Sequence, residues 1–313
     1  MGGVRLGLFC ILVLAGLSFN CRAWAEDTVT VVLSEDGGVY AEFASQLGHA
    51  LAGSRTSLRV VTLNSLKDDI PARGAHNQLL VAVGTPAMTA MARKSANFSI
   101  LNVLVPRASF RSLARSSIRT QDSKQFSAVF FDQPWARQFA LIRNAVPGRR
   151  VGILLGKDSA DLNATLLASA RDAQMVTSIE IVTDEADLLP ALKRLLPNSD
   201  ALLAVPDAAI YNRSNIATIL LTSYRAKVPL FGFSPSYVKA GALAAVYSQP
   251  GQIAQQVAEI IQNLPASGNL PPPQSPRYFS VTVNPQVRLS LELDMDDEAR
   301  LLQKIKQLPE GAP

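Results

Sequence analysis

Around residue 207 the chain reads AVPDAAIYN, which sets a carboxylate (Asp207), a phenol (Tyr211) and a carboxamide (Asn212) in one short stretch. Asp207 could neutralise an ammonium group, and Tyr211 could supply an aromatic wall or a hydroxyl. Their plainer use is helix capping and turn chemistry. A second polar-aromatic stretch, GFSPSY, carries Ser234 and Tyr237. A third, VGTPA, sets Thr85 before Pro86. There the free N–H groups of a starting helix and a hydroxyl could hold an anionic group such as a carboxylate. Such groups can grip a small polar molecule. Bond-breaking chemistry needs more.

Catalytic constellations are thinly supported. The histidines are His49 and His76. Neither has a metal-ligating partner at i+3 or i+4. Gly232-Phe233-Ser234-Pro235-Ser236 lacks the second glycine of a nucleophile elbow, and Pro235 is expected to prevent that turn from continuing as a helix. No GxGxxG or Walker pattern occurs. The acidic cluster Asp294, Asp296, Asp297 and Glu298 lacks the spacing and glycine turn of a calcium loop. It suits the start of a helix, where the dipole favours negative charge. Neither a metal nor a cofactor is expected.

The elements that must position these groups alternate in period. Short apolar, β-branched runs at Thr28–Leu33, Leu58–Leu63, Leu79–Val83, Ser99–Val105 and Phe126–Phe131 read as strands. Amphipathic stretches separate them, such as Tyr40, Phe43, Leu47 and Leu51 at helical spacing. The second half repeats the theme, with strands at Val151–Leu155, Ser178–Val182, Ala201–Val205, Val228–Phe231 and Leu243–Tyr247. Helices are expected over Leu162–Ala173, Leu188–Leu196 and Ile210–Ala226. Such alternation gives α/β layers with mostly parallel sheets. About ten strands exceed what one open sheet of this size usually holds. Two doubly wound lobes are the economical solution. The run PASGNLPPPQSP is a linker by composition, extended and exposed, and is followed by a final strand and helix.

Length and composition agree. The chain has 313 residues, 48% of them hydrophobic, which is ample for two cores. An apolar run from Leu6 to Leu17 follows Arg5 and ends near Ala23-Trp24-Ala25, a small-x-small cleavage pattern. Residues 1–25 therefore read as a secretory signal, so the mature chain is expected to be exported. Cys21 offers a lipoprotein alternative, but Asn20 before it fits poorly. Both cysteines, Cys10 and Cys21, lie inside this segment, so the mature chain has no thiol chemistry. The formal charge of +5 falls to +3 without Arg5 and Arg22, and the basic residues are scattered. Arg111, Arg115 and Arg119 could share a helix face, more simply as a solvated one. With 6% aromatics and no nucleic-acid motif, no nucleic-acid partner is expected.

The segments PDAAIYNRSNI, VPLFGFSPSYVKAGALAAVYS and YFSVTVNPQV, with LLVAVGTPAMTAMA upstream, resemble the ABC transporter substrate-binding protein family. That family contains periplasmic proteins related to tryptophan/tyrosine-type binders. The resemblance implies a type I periplasmic-binding-protein-like fold, of Venus-flytrap kind, whose two lobes are joined by a three-crossing hinge. The implied division puts 26–128 and 241–265 in lobe 1 and 129–240 and 276–313 in lobe 2. Residues 266–275 form the Pro-rich crossing, and the other crossings fall near Ser127–Asp132 and Phe233–Gly241. The resemblance also implies a small-molecule ligand, such as an amino acid, held between the lobes without catalysis. A membrane permease and its separate ATPase would be the partners of a monomeric chain. By position, Thr85, Asp207, Tyr211 and Asn212 carry over as ligand residues. Ser34 and Glu35 follow the first strand, Phe131, Asp132 and Gln133 sit at the first crossing, and Ser234 and Tyr237 lie at the second. Many members carry Asp-Pro after the fourth strand, where this chain has Val105-Pro106-Arg107. Arg107 is thus expected to favour an acidic ligand. The rival expectations are a sensor or accessory protein that keeps the fold without transport, and a secreted α/β hydrolase or transferase.

Overall fold

The computed structural model describes residues 27–66, 79–94, 98–116, 118–122, 124–265 and 267–308. The signal-peptide expectation for 1–25, both cysteines and His76 lie outside these residues. So does the side chain of Arg119.

The first sheet holds β1 (Asp27–Leu33), β2 (Thr56–Thr62), β3 (Leu79–Val83), β4 (Ser99–Val105) and β5 (Phe126–Phe130) in the order β2-β1-β3-β4-β5. Every pairing in it is parallel. Its helices are α1 (Gly38–Ala50), α2 (Thr85–Ala92), α3 (Arg107–Ala114) and α4 (Ile118–Gln121). Continuous apolar strands follow from burial on both faces. Val31, Leu33, Val81, Val83, Leu101 and Val103 point to one face and pack with Phe43 and Leu47 of α1. Val32, Leu80, Ala82, Ile100, Ala128 and Phe130 point to the other and pack with Met88 and Met91 of α2. The period of two is what the backbone pleat dictates.

The second sheet has six strands in the order β11-β10-β9-β8-β6-β7. They are β6 (Arg150–Leu155), β7 (Val176–Ile181), β8 (Ala201–Leu203), β9 (Leu230–Gly232), β10 (Ala244–Tyr247) and β11 (Ser280–Val283). All pairings are parallel except β10 with β11. Around it lie α5 (Trp135–Ala145), α6 (Asn163–Asp172), α7 (Leu188–Leu195), α8 (Ile216–Arg225) and α9 (Pro235–Ala240). Three more helices follow: α10 (Pro250–Gln262), α11 (Pro285–Ser290) and α12 (Glu298–Lys306). Asp297 caps α12 by accepting a hydrogen bond from the Arg300 N–H at 2.8 Å, the role expected of that acidic cluster.

Two expectations need correction. Residues 241–247 belong to the six-stranded lobe, because β10 pairs with β9 and β11 there. The chain returns to the first lobe only after Tyr247, and Ile253 and Val257 of α10 pack with Leu47 of α1. The crossing expected near Phe233–Gly241 is instead the β9–α9–β10 connection, an ordinary crossover. The second correction concerns the helix expected over Ile210–Ala226, which begins only at Ile216. The Asn212 carboxamide oxygen accepts from Ser214 N and Asn215 N, each at 3.0 Å. That side-chain turn replaces a helical start.

The proline-rich crossing is extended but not a free surface loop. Leu270 N–H donates to Lys124 O at 2.8 Å, and Gln274 N–H donates to Ala128 O at 2.9 Å. Phe130 N–H returns a bond to Gln274 O at 3.0 Å. The linker thus lies along the open edge of β5 and satisfies it, and Leu270 and Pro276 are buried.

At the amino end of β6, Asp200 accepts from Arg149 N at 3.0 Å and Arg150 N at 2.9 Å, and pairs with the Arg150 guanidinium at 2.6 Å. Its carboxyl is held below the usual carboxylate range, first by the Arg150 side-chain bond. A depressed carboxyl stabilises the fold above the unfolded value, about pH 4, and loses that contribution as pH falls through the folded value. The Asp200→Asn variant is therefore expected to melt below the parent at pH 7. The gap should narrow steadily below about pH 4, and melting curves across pH 2–7 check this.

Candidate functional site

In parallel α/β sheets the carboxyl ends of the strands are where loops can converge on a ligand. The sequence-identified residues sit at such ends in both lobes. Ser34 and Glu35 follow β1, Thr85 follows β3, and Phe131, Asp132 and Gln133 follow β5. Asp207, Tyr211 and Asn212 follow β8, and Ser234 and Tyr237 follow β9.

In the first lobe Ser34 does the capping expected of Thr85. Its hydroxyl donates to Val83 O at 2.7 Å and accepts from Ala87 N at 3.0 Å. The N-cap of α2 is Gly84 at φ 88, not Thr85. A β-carbon at Gly84 would lie 2.6 Å from the Ser34 hydroxyl and 2.8 Å from the Tyr40 ring, so only glycine fits. Pro86 has no N–H and Ala87 N–H is taken by Ser34. The helix start therefore offers an anion little beyond the Thr85 amide and hydroxyl. Tyr40 is half-buried, and its phenol is pushed up by burial and then by Glu35. Glu35 itself is exposed.

In the second lobe Asp207 is 7% exposed and engaged by three protein donors. Its Oδ2 accepts from Gly156 N at 3.1 Å and from the Ser159 hydroxyl at 2.6 Å. Its Oδ1 accepts from Ala209 N at 2.9 Å. Asp207 thus ties the loop after β6 to the loop after β8. A β-carbon at Gly156 would meet that carboxylate at 2.6 Å. Tyr211 is buried, and its phenol is pushed well above its ordinary value by burial, then by Tyr237 and Asp207. The Tyr237 hydroxyl donates to Tyr211 O at 2.8 Å. The rings of Tyr211, Phe233 and Tyr237 pack with centroids 4.4–6.4 Å apart. Asn212 organises its own turn. Ser234 is the N-cap residue of α9, and its side chain makes no capping bond; Pro235, expected to stop a helix here, instead opens it, because the first helical position needs no N–H donor.

The hinge takes the remaining candidates. Gln133 is buried, donating to the Ser248 hydroxyl at 2.7 Å and accepting from Arg137 Nη1 at 3.0 Å. Arg137 also donates to Pro276 O at 2.7 Å and lies 4.1 Å over the Phe279 ring. Gln133 and Arg137 together thereby join residues near all three crossings. The acidic-ligand role expected of Arg107 is not what its geometry serves. Its guanidinium donates to the Ser275 hydroxyl at 2.6 Å and covers the Phe130 ring at 4.4 Å. Burial, then Arg111, lowers its pKa. Asp132 accepts from the Arg107 backbone N–H, while burial pushes its carboxyl up. Phe131 is different: it follows β5 at the first crossing and is 42% exposed, a large apolar side chain left partly open.

Sequence reasoning missed Ser159, Arg137, Ser248 and Gln256. Gln256 donates to Gln274 Oε1 at 2.9 Å and accepts from Arg277 N at 2.7 Å. Its place amid the apolar positions of α10 was the one available signal.

The family model for ABC transporter substrate binding proteins matches residues 63–300, and the chain belongs to that family. Solved structures agree on the fold. A Streptococcus pneumonia ABC domain in complex with L-Trp aligns with a TM-score of 0.57 at 14% identity, over 90% of this chain and 98% of that one. The ligand-free, open structure of a substrate binding protein with adhesive properties from Clostridium difficile aligns with a TM-score of 0.65 at 12% identity, over 87% and 96%. An arabinose binding protein from Geobacillus stearothermophilus gives 0.53 at 12%, over 84% and 98%. No curated protein matches the chain. The architecture is type I periplasmic-binding-protein-like. Among the described residues no helix is long and apolar enough to cross a membrane. Nor does any group of three or more His, Cys, Asp or Glu there suit a metal ion.

These placements separate scaffold from free surface. Asp207→Ala should lower unfolding free energy by about 3 kcal/mol, because it leaves buried donors without acceptors. Phe131→Ala should stay within about 0.5 kcal/mol of the parent. Urea unfolding of the two variants checks the contrast, and equal losses would erase it.

Proposed function

We propose that this chain is the solute-binding component of an ABC-type importer, working in the periplasm and capturing a small molecule between its lobes. The observation that carries this is that the carboxyl-edge loops of two separately cored sheets, joined by three crossings, hold the sequence-identified residues. Family membership supports the same role. Ligand touching both loop sets favours the closed form, because only that form makes both sets of contacts. The closed monomer then delivers its ligand to a permease driven by a separate ATPase. No catalytic step is part of the proposal.

Within the cleft the roles divide. Thr85, Glu35, Ser234 and above all Phe131 are the contact surface. Ser34, Asp207, Tyr211, Asn212, Tyr237 and Gln133 hold the loops and hinge that shape it. An exposed aromatic suits an amino acid or a similar molecule with an apolar side chain. The L-Trp bound to the pneumococcal structure makes aromatic amino acids the first to try.

The test is a thermal-shift screen of the purified protein with amino acids, short peptides, sugars and organic acids. A ligand at a hundred times its Kd adds about 2.7 kcal/mol. Phe131→Ala should then weaken binding at least tenfold while leaving the unliganded melting temperature unchanged. A flat response across the panel would instead favour a sensor or accessory role.

A further inference from the structure

A pocket of about 720 Å³ lies in the six-stranded lobe, away from the proposed cleft. Its walls are the segments just before β6, β8 and β9: Val146–Gly148, Ser199–Asp200 and Ala226–Pro229. These are the amino ends of parallel strands, whereas the cleft loops follow the carboxyl ends. The six residues of β6 alone separate the two by about 20 Å. The volume falls within the range of small-molecule sites, about 300–1,000 Å³.

The lining has two chemistries. Val146, Leu196 and Val228 are buried and, with Pro229 and Leu293, supply an apolar floor. Lys193, Arg225 and Lys227 supply an exposed cationic rim. None of the three has an ion-pair partner among the described residues. The one carboxylate in the lining, Asp200, is already neutralised by Arg150 and by the Arg149 and Arg150 amides. The rim is also fixed by backbone. Lys227 N–H donates to Tyr224 O at 2.9 Å, and Val228 N–H donates to Ser223 O at 3.0 Å.

An apolar floor repels a small hydrated anion such as phosphate, and an uncompensated cationic rim repels an ammonium. Both are satisfied by one ligand class. We propose that this pocket is a second site, binding an organic anion with an apolar body, such as a medium-chain carboxylate. Its carboxylate meets Lys193, Arg225 and Lys227, and its chain covers Leu196 and Leu293.

The experiment titrates the purified full-length protein with 1-anilinonaphthalene-8-sulfonate, a fluorescent anion with an apolar body, and then displaces it with decanoate. Saturable fluorescence that decanoate removes is expected. The triple variant Lys193→Glu, Arg225→Glu, Lys227→Glu should weaken it at least tenfold. Thr222→Trp, which fills the pocket from α8, should abolish it, with circular dichroism confirming the fold of both variants. Phe131→Ala should leave it unchanged, so failure here is separate from failure of the cleft. The proposal falls if no saturable signal appears, if the signal survives both pocket variants, or if decylamine displaces the probe as well as decanoate does.

Discussion

A buried backbone N–H must find an acceptor, and at the carboxyl edges of these two sheets side chains provide it. Each strand there gives way to a loop or a helix start whose first amides have no partner of their own. Ser34 takes the Ala87 amide, Asp132 the Arg107 amide, Asn212 the Ser214 and Asn215 amides, and Asp207 those of Gly156 and Ala209. Several of these bonds join loops far apart in sequence. The loop edges are therefore rigid before any ligand arrives, and the groups that make them rigid are the polar residues a binding site would otherwise display.

The same economy governs the hinge. Three crossings leave polar backbone between two cores, and bulk water cannot reach all of it. Arg137, Gln133 and Ser248 form a continuous hydrogen-bonded set across the crossings, and Gln256 separately holds the neighbouring Gln274 and Arg277. Glu259 of α10 adds an ion pair to Arg277 at 2.6 Å and accepts from the Tyr278 hydroxyl. Because each lobe buries its own two apolar layers, motion about these crossings need not open either core. It needs rearrangement of polar contacts in which the buried Gln133 and Arg137 exchange partners within the hinge, because a buried polar group left unpaired costs about 1–3 kcal/mol.

Much of the architecture was legible in the chain. Parallel strands buried on both faces must be continuously apolar, and Leu79–Val83 or Val151–Leu155 can hardly be anything else. Positions of candidate groups were legible too, because residues after such strands fall at the sheet's carboxyl edge. Their roles were not. A carboxylate that caps a helix and one that neutralises a ligand look identical in sequence, and the donor that decides between them is distant. Asp207 meets Ser159, and Ser34 meets Ala87, across separations that local pattern does not encode. The lobe boundary failed for a related reason. A short strand such as Ala244–Tyr247 suits either sheet by composition, and only its pairing with β9 and β11 assigns it.

Once the polar groups are committed to the scaffold, recognition passes to what remains. An unengaged polar group rejects a poor ligand strongly, because mismatch leaves it desolvated and unpaired; an apolar surface discriminates by only a few kcal/mol per group. A proposed cleft whose carboxylate at 207 is already satisfied would lose little when a ligand lacks an ammonium. Under the proposed function, selectivity would then come mainly from shape against Phe131 and from contacts made only when the lobes meet. The proposed binder would then have its specificity set by closure more than by any single ion pair, which would tie ligand choice to the hinge where Arg137 bonds Gln133 and Pro276.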